Sequence, residues 1–224
     1  MHLFRRLGII CRLRILAGKH LNTYSKLPES ALDEMLQGAE LLEKDSFGPK
    51  VYQLADGNML KLFRRKRLLS SASLRPHSQR FAENAQSLMA LGIPTVQPLR
   101  LYRLDGSGRT AVLYCPLAGS TLARILKTQP ASWPDLTPKL AKFINGLHER
   151  GVYFRSLHLG NIVMSDNGQL GLIDISDLRI RKRPLSQPLI RRNREHFEKY
   201  IRKEGLPVDV ELLWTSCDQL GTNG

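Results

Sequence analysis

The sequence VYFRSLHLGNIVMSDNGQLGLIDI, residues 152–175, carries the clearest structural signal in the chain. Two apolar runs, residues 162–164 and 170–175, flank an Asp-Asn-Gly turn at residues 166–168. Strand-like runs that are separated by a short turn containing glycine predict a β-hairpin. This hairpin is the first element that the sequence predicts, and the neighbouring segments can be interpreted from it.

Oxygen-bearing side chains lie at the open end of this hairpin. Asn161 directly precedes its first strand and Asp174 lies near the end of its second, so a tight turn brings both to the same end. An amide oxygen and a carboxylate are hard donors of the kind that a nucleotide-bound Mg²⁺ takes from a protein. Asn and Asp at strand ends are also common turn and cap residues, and the pair alone leaves that interpretation open.

The chain around the hairpin divides into a β-rich first half and a mostly helical second half. Between residues 122 and 147, apolar side chains recur at helical spacing. The first half predicts a helix from Pro28 to about Lys44, then a hairpin, a second helix and another hairpin at residues 51–63, 81–91 and 96–114. The pattern predicts an α+β fold with a small β-rich lobe joined to a helical lobe by a short Pro/Gly segment.

The charge of the chain is strongly positive. Lys and Arg number 34 against 20 Asp and Glu, which leaves a net charge of +14 and favours anionic partners. The bases concentrate before Pro28, from Lys61 to Arg80 and from Arg179 to Arg194. Aromatic residues make up only 7% and do not alternate with these bases, and no zinc finger or RNP motif is present, so nucleic acid is an unfavoured partner.

The N-terminal segment combines bases with Leu3, Leu7 and Ile10 at helical spacing. This pattern is typical of a helix on an anionic membrane surface and equally of a docking helix or a leader. No apolar run reaches the roughly 18 residues of a membrane span, and three widely separated cysteines without a CxxC pair argue against structural zinc or a disulfide framework. We expect a cytoplasmic protein. The membrane-surface interpretation of the N-terminal segment extends this expectation to peripheral contact with the inner face of the cytoplasmic membrane.

The segment from Val152 to Asp174 resembles the catalytic and metal-binding segments of the protein-kinase-like superfamily, in which HRDLxxxN precedes a DFG-type aspartate. Arg155 stands at the motif Arg, Ser156 at the motif Asp, and Asn161 at the motif Asn. Asp174 falls at the metal-binding aspartate. The resemblance implies that Asn161 and Asp174 hold Mg²⁺ and that ATP is the second cofactor.

The resemblance extends to the first lobe. Lys61, on the second strand of the first hairpin, lies where the family places the lysine that holds the nucleotide phosphates, and Glu83 on the next helix is its implied partner. A solvated lysine and a solvated glutamate are the alternative. A lysine in the interior is costly without a partner, which makes the pairing physically sensible.

Further nucleotide contacts are implied at two loops. The glycine-rich phosphate loop of the family is missing, but the backbone amides of Gly48 and Lys50 occupy its place and face phosphates in this alignment. The segment from Leu113 to Leu117 aligns with the hinge between the lobes, whose backbone, at Cys115 and Leu117, would hold the adenine. These four residues complete the predicted nucleotide-binding set.

The resemblance, which covers roughly residues 47–194, is closest to the lipopolysaccharide-core heptose and Kdo kinases, especially the group labelled toluene-tolerance proteins. It implies a two-lobed protein-kinase-like fold with a small antiparallel β-rich N-lobe and a short, mostly helical C-lobe. The expected organisation is a basic N-terminal segment, an N-lobe, a C-lobe and a C-terminal tail at residues 1–28, 29–115, 116–205 and 206–224.

The main departure from the family's catalytic motif is Ser156, because a serine does not take up a proton at neutral pH as the motif's aspartate does. One hypothesis is an ATP-dependent phosphotransferase acting on a lipopolysaccharide-core sugar or similar polyanionic acceptor, with Ser156, Arg155 or His158 serving the acceptor. A second is a pseudokinase that binds nucleotide and acts as a regulator or scaffold at the inner membrane surface. The third is a charge-driven nucleic-acid binder.

Overall fold

The computed structural model describes residues 23–46, 48–64, 75–105 and 108–221. The predicted N-terminal basic helix and the centre of the second basic run, residues 65–74, lie outside these ranges. The described residues fall into two compact units, one within Met1–Ala85 and Val96–Pro116 and one within Gln86–Thr95 and Leu117–Gly224. Both strands and helices are present, and the largest sheet is mostly antiparallel, so the predicted α+β class is confirmed.

The described part of the first unit is built on a six-stranded sheet in the order β1-β5-β6-β4-β3-β2. All neighbours are antiparallel except the edge pair of β1 with β5. The strands are β1 Tyr24–Leu27, β2 Glu40–Asp45, β3 Gly48–Gln53, β4 Met59–Phe63, β5 Gln97–Leu104 and β6 Thr110–Cys115, and the helices are α1 Glu29–Met35 and α2 His77–Ala90.

Local turn chemistry forms the two hairpins at the places that the sequence predicts. Between β3 and β4, Gly57 adopts a φ of +83°, which suits glycine, and its N–H donates to the carbonyl of Leu54. Helix α2 ends as its pattern predicts: Gly92 has a φ of +70°, and the N–H of Ile93 donates to the carbonyl of Leu88 at 2.9 Å.

The helix predicted from Pro28 to about Lys44 is wrong in its second half. Helix α1 ends at Met35, and residues 40–45 form β2 instead. The chain passes through Gly38 with a φ of +68°, a left-handed conformation that ends a helix. Beyond it, Leu41 is exposed on the edge strand β2. The helix prediction extends too far because the apolar spacing of this short segment does not distinguish a helix from a strand.

The second unit combines helices with two small sheets, of order β10-β9-β7 and β11-β8. Its predicted hairpin is confirmed, with a second strand that ends three residues early. The helices predicted between residues 122 and 147 are also confirmed. The elements are β7 Ser120–Thr121, α3 Leu122–Thr128, α4 Trp133–Glu149, β8 Val152–Phe154, β9 Ile162–Met164, β10 Leu170–Leu172, β11 Leu178–Ile180, α5 Gln187–Glu204 and α6 Val210–Gly221.

The segment expected as a C-terminal tail, residues 206–224, contains a packed helix. Helix α6 is anchored on α4, where the side-chain amide of Asn145 donates to the carbonyl of Cys217 at 2.7 Å. The indole N–H of Trp133 donates to the carbonyl of Asp209 at 2.9 Å. Cys217 itself is buried, and this burial raises the pKa of its thiol to about 11. Helix α6 is therefore part of the core of the second unit.

We expect Leu213→Ala to lower the free energy of unfolding by about 2–5 kcal/mol, the usual cost of emptying a buried leucine site. Leu213 is 0% exposed on α6, whereas its neighbour Leu212 is 39% exposed. Leu212→Ala is the matched control and should change the unfolding free energy by less than about 0.5 kcal/mol. Urea denaturation followed by circular dichroism measures both, and equal losses would contradict the packing of α6.

Candidate active site

The predicted catalytic segment is a loop that leaves β8 and returns to β9. Strand β8 pairs antiparallel with β11, with Phe154 opposite Leu178. The carbonyl of Phe154 accepts the N–H of Leu157 at 3.0 Å and the side-chain amide of Asn193, on α5, at 2.8 Å. These bonds turn the chain sharply after β8, so that Arg155 and Ser156 lie at the head of the loop.

Asn161 closes the loop and connects it to the hairpin. Its N–H donates to the carbonyl of His158 at 2.8 Å, and its own carbonyl accepts the N–H of Ile173 at 3.0 Å. The side-chain nitrogen donates to the carbonyl of Ser156 at 2.9 Å. Because this amide nitrogen is bonded to the loop, the amide oxygen is the atom that Asn161 offers to a cation.

Asp174 follows directly after the residue that bonds to Asn161, so the structure brings the backbones of the two predicted metal ligands together. Among the described residues, Asp174 is the one non-glycine residue with a positive φ, at 52° with ψ at 42°. Such a left-handed conformation is uncommon for a residue with a side chain and concentrates at functional sites, although Asp adopts it more readily than most.

Ser156 bonds to a carboxylate that sequence reasoning missed. Its hydroxyl donates to Oδ2 of Asp177 at 2.6 Å, and Nε of Arg155 lies 3.6 Å from the same oxygen. Asp177 ends a short 3₁₀ turn, Ile175–Asp177, and precedes β11. The sequence does show a second acid three residues after Asp174. Its contact with Ser156 depends on the pairing of β8 with β11, which local patterns do not reveal.

His158 is held as a neutral ring. It stacks on Tyr200 of α5, with ring centroids 3.9 Å apart and planes 3° apart. Burial lowers the pKa of His158 to about 4, and the nearby charge of Asp174 only partly opposes this. At neutral pH, Nε2 therefore accepts a hydrogen bond from the side-chain amide of Asn161 at 3.2 Å. The structure gives His158 the role of orienting an amide rather than that of a cation for phosphate.

Gly160 lets Tyr200 approach the loop. A Cβ at Gly160 would lie 2.4 Å from the hydroxyl oxygen of Tyr200 and 3.2 Å from Nδ1 of His158. Any side chain at this position would displace the tyrosine ring from His158. Close packing therefore requires a glycine here. The backbone conformation does not, because the φ of Gly160 is not in the left-handed region.

The predicted phosphate lysine lies in the first unit and is described apart from the loop. Lys61, in the middle of β4, is 4% exposed and stands between Val51 of β3 and Val112 of β6. Its ammonium lies 5.8 Å from the ring centroid of Phe63 and 6.0 Å from that of Phe81. Two aromatic faces thus stabilise the buried cation and restrict where it points.

Glu83, the predicted partner of Lys61, lies on α2. One carboxylate oxygen accepts Nε of Arg75 at 2.7 Å, and the other accepts the side-chain amide of Gln79 at 2.9 Å. Glu83 thus has a basic partner, Arg75, that sequence reasoning did not assign. The bond between Lys61 and Glu83 stays a prediction.

The remaining predicted nucleotide contacts are distributed over both units. Gly48 begins β3 with a φ of +110°, and the side chain of Lys50 pairs with Glu43 of β2. Cys115 ends β6 in the first unit, with Sγ 3.4 Å from the amide oxygen of Asn58. Leu117 belongs to the second unit and packs against Gly171 of β10. The roles of Gly48, Lys50, Cys115 and Leu117 toward a nucleotide stay predictions.

Comparison with known proteins gives no family assignment: no protein-family model matches the sequence, and no curated protein is significantly similar to it. Within the described ranges, no three His, Cys, Asp or Glu side chains form a metal-binding group; the predicted ligand pair contains one amide and one carboxylate. None of the helices in the described part of the chain is both long and apolar enough to cross a membrane.

We expect Tyr200→Ala to raise the pKa of His158 from about 4 toward its ordinary value of 6.5, because the substitution exposes the ring. In the wild type, between pH 4 and pH 6.5, His158 binds more protons in the unfolded state than in the folded state. The contribution of His158 to stability is therefore complete above pH 6.5 and is lost as the pH falls toward 4.

An NMR titration of the histidine ring protons, with His158 assigned by a His158→Gln variant, measures this shift. Tyr153→Ala removes a half-buried tyrosine of β8 and serves as the control. An unchanged titration of His158 in Tyr200→Ala would contradict the stacking as the cause of its low pKa.

Proposed function

We propose that the chain has a two-lobed protein-kinase-like fold and is an ATP-dependent phosphotransferase. The observation that carries this proposal is the arrangement of Asn161 and Asp174. The amide of Asn161 is oriented by the loop, and Asp174 adopts a left-handed backbone one residue beyond the bond between Ile173 and Asn161. One preoriented amide oxygen and one carboxylate at the mouth of a hairpin suit a Mg²⁺ ion that also binds phosphates.

The proposed roles follow the chemistry of each side chain. Asn161 and Asp174 would hold Mg²⁺, which neutralises charge on the phosphates of ATP during transfer. Lys61 would hold the nucleotide phosphates, and its aromatic surroundings support this role because they fix a buried cation that has few rotamers to lose on binding. Gly48, Lys50 and the hinge segment from Cys115 to Leu117 would complete the nucleotide contacts.

The acceptor is proposed to be polyanionic, such as a phosphorylated lipopolysaccharide-core sugar. Bases that follow the loop are exposed, which supports contact with phosphorylated sugars and with anionic headgroups at the inner face of the cytoplasmic membrane. They are Arg179, Arg181, Lys182, Arg183, Arg191 and Arg192. The proposed location is accordingly cytoplasmic or peripheral to that membrane, and nucleic acid remains the unfavoured partner.

A second candidate is a pseudokinase that binds nucleotide and serves as a scaffold. The specific observation in its favour is Ser156, whose hydroxyl is a donor to Asp177 rather than a carboxylate. Phosphoryl transfer depends mostly on positioning and electrostatic stabilisation, so loss of a general base lowers its rate typically by about 10²- to 10⁴-fold rather than abolishing it. Binding and turnover must therefore be measured separately.

We expect the wild type to bind ATP with Mg²⁺ and to hydrolyse it, and Asp174→Ala to lower turnover roughly 100-fold or more, as for other removals of one electrostatic contact. Asp166→Ala, an exposed aspartate at the opposite end of the same hairpin, is the matched control. Thermal shift with MgATP and release of inorganic phosphate are the measurements. Binding without turnover supports the pseudokinase, and the absence of both would refute both candidates.

Lys61→Met tests the first unit. The substitution should abolish the MgATP thermal shift, because an apolar side chain of similar length at this buried position cannot hold a phosphate. Lys44→Met, at an exposed position of β2, is the control and should keep the shift. An undiminished MgATP shift in Lys61→Met would remove Lys61 from the nucleotide site.

A further inference from the structure

We infer that Asp177 is the final proton acceptor of the loop and that it acts through Ser156, an inference that rests on the proposed phosphotransferase function. Ser156 would touch the hydroxyl of the acceptor. Asp177 would act as the positioning residue that orients and polarises the serine. The carboxylate that position 156 lacks is thereby supplied by the residue just before β11.

The geometry of the pair is that of a strong, charge-assisted bond. Hydroxyl-to-carboxylate bonds of this kind are typically about 2.5–2.7 Å long, and Oγ of Ser156 lies 2.6 Å from Oδ2 of Asp177. Since the serine proton points at the carboxylate, the oxygen lone pairs of Ser156 are left to accept a proton from another hydroxyl.

Asp177 retains unused acceptor capacity. Its Oδ1 is buried and has no hydrogen-bond partner among the described residues. A buried carboxylate oxygen without a partner is costly and calls for an explanation in terms of function or strain. Arg155 lies 3.6 Å from the other oxygen and is 66% exposed, so it does not occupy Oδ1.

The pair is held together by the secondary structure around it. Phe154 lies opposite Leu178 in the β8–β11 pair, Ser156 is two residues beyond the first, and Asp177 is one residue before the second. The carbonyl of Ser156 is also bonded to the side chain of Asn161, next to the proposed metal site. Ser156 is thus held through its hydroxyl and through its carbonyl before any acceptor binds.

The proton balance of the step is complete within this pair. As the acceptor oxygen attacks the γ-phosphorus of ATP, a new oxygen–phosphorus bond forms and the bond from the γ-phosphorus to the bridging oxygen breaks, and ADP leaves with its electron pair. The acceptor proton passes to Oγ of Ser156, and the serine proton passes to Oδ2 of Asp177. The carboxylic acid then returns the proton to solvent after the product leaves.

His158 does not compete for this role. Its ring is buried against Tyr200, and Nε2 already accepts the side-chain amide of Asn161. Protonation of the ring would turn that acceptor into a donor facing another donor. His158 therefore orients the metal-binding amide, while the proton pathway runs through Ser156 and Asp177.

The test measures ATP hydrolysis with MgATP as the substrate and water as the acceptor. Asp177→Asn keeps an oxygen that accepts the serine hydroxyl but loses the basic carboxylate, so a merely structural bond would survive it. We expect kcat to fall roughly 100-fold, the lower end of general-base effects, while KM for ATP and the MgATP thermal shift stay unchanged. Ser156→Ala should lower kcat comparably.

A double variant that moves the carboxylate from position 177 to position 156 tests whether kcat can be rescued. Ser156→Asp alone would place two carboxylates side by side and should lower the melting temperature. Combined with Asp177→Asn, it leaves the pair with one carboxylate, as in the wild type, beside an amide, and this double variant should recover the kcat of the wild type. Asp218→Asn, which removes an exposed aspartate paired with Arg194, is the control for loss of one charge and one ion pair.

The outcomes separate the inference from the function on which it rests. Wild-type kcat in Asp177→Asn, alongside a loss of turnover in Asp174→Ala, overturns the role of Asp177 and leaves the phosphotransferase intact. No recovery in the double variant overturns it as well. If Asp177→Asn does not fold, undiminished kcat in Ser156→Ala overturns the proton pathway. Absence of turnover in the wild type overturns both proposals.

Discussion

The hydrogen bonds of Asn161 are the interactions on which the candidate site depends. Its backbone joins the loop to the hairpin, through the carbonyl of His158 and the N–H of Ile173, and its side chain joins the loop to itself through the carbonyl of Ser156. Each buried polar group that loses its partner costs about 1–3 kcal/mol, so a residue that satisfies several at once restricts the loop to one conformation. The orientation of its amide oxygen is a consequence of that restriction.

Burial determines which groups of the second unit are charged. The site has a strongly basic sequence around it, yet burial of the histidine within the loop, which stacks on Tyr200, lowers its pKa to about 4. A neutral His158 accepts the amide proton of Asn161, and a charged one would repel it. The aromatic ring thus acts on the side chain of Asn161 through the histidine.

The sequence predicts those features that depend on neighbouring residues. The turns at residues 56–57 and 166–168 form hairpins because glycine and its neighbours determine the local backbone. The helix predicted as far as Lys44 fails at Gly38, where a left-handed residue interrupts a pattern that periodicity alone reads as continuous. Conformation at single residues therefore limits what a pattern can predict.

The features that the sequence does not predict depend on contacts between residues far apart in the chain. The bond from Ser156 to Asp177 joins positions 21 residues apart and exists only because β8 pairs with β11. Each of these strands has three residues, too few for a periodic signal. Likewise, the stacking of His158 depends on a tyrosine on α5, and the packing of α6 depends on side chains on α4.

The serine at position 156 and the aspartate at position 177 are best understood together. An aspartate at position 156 would place a second carboxylate next to Asp177, and the repulsion between the two like charges would weaken the loop. A hydroxyl and a carboxylate at the 2.6 Å separation seen here instead form a stable bond. A hydroxyl at position 156 therefore allows the carboxylate of Asp177 to lie this close to the loop.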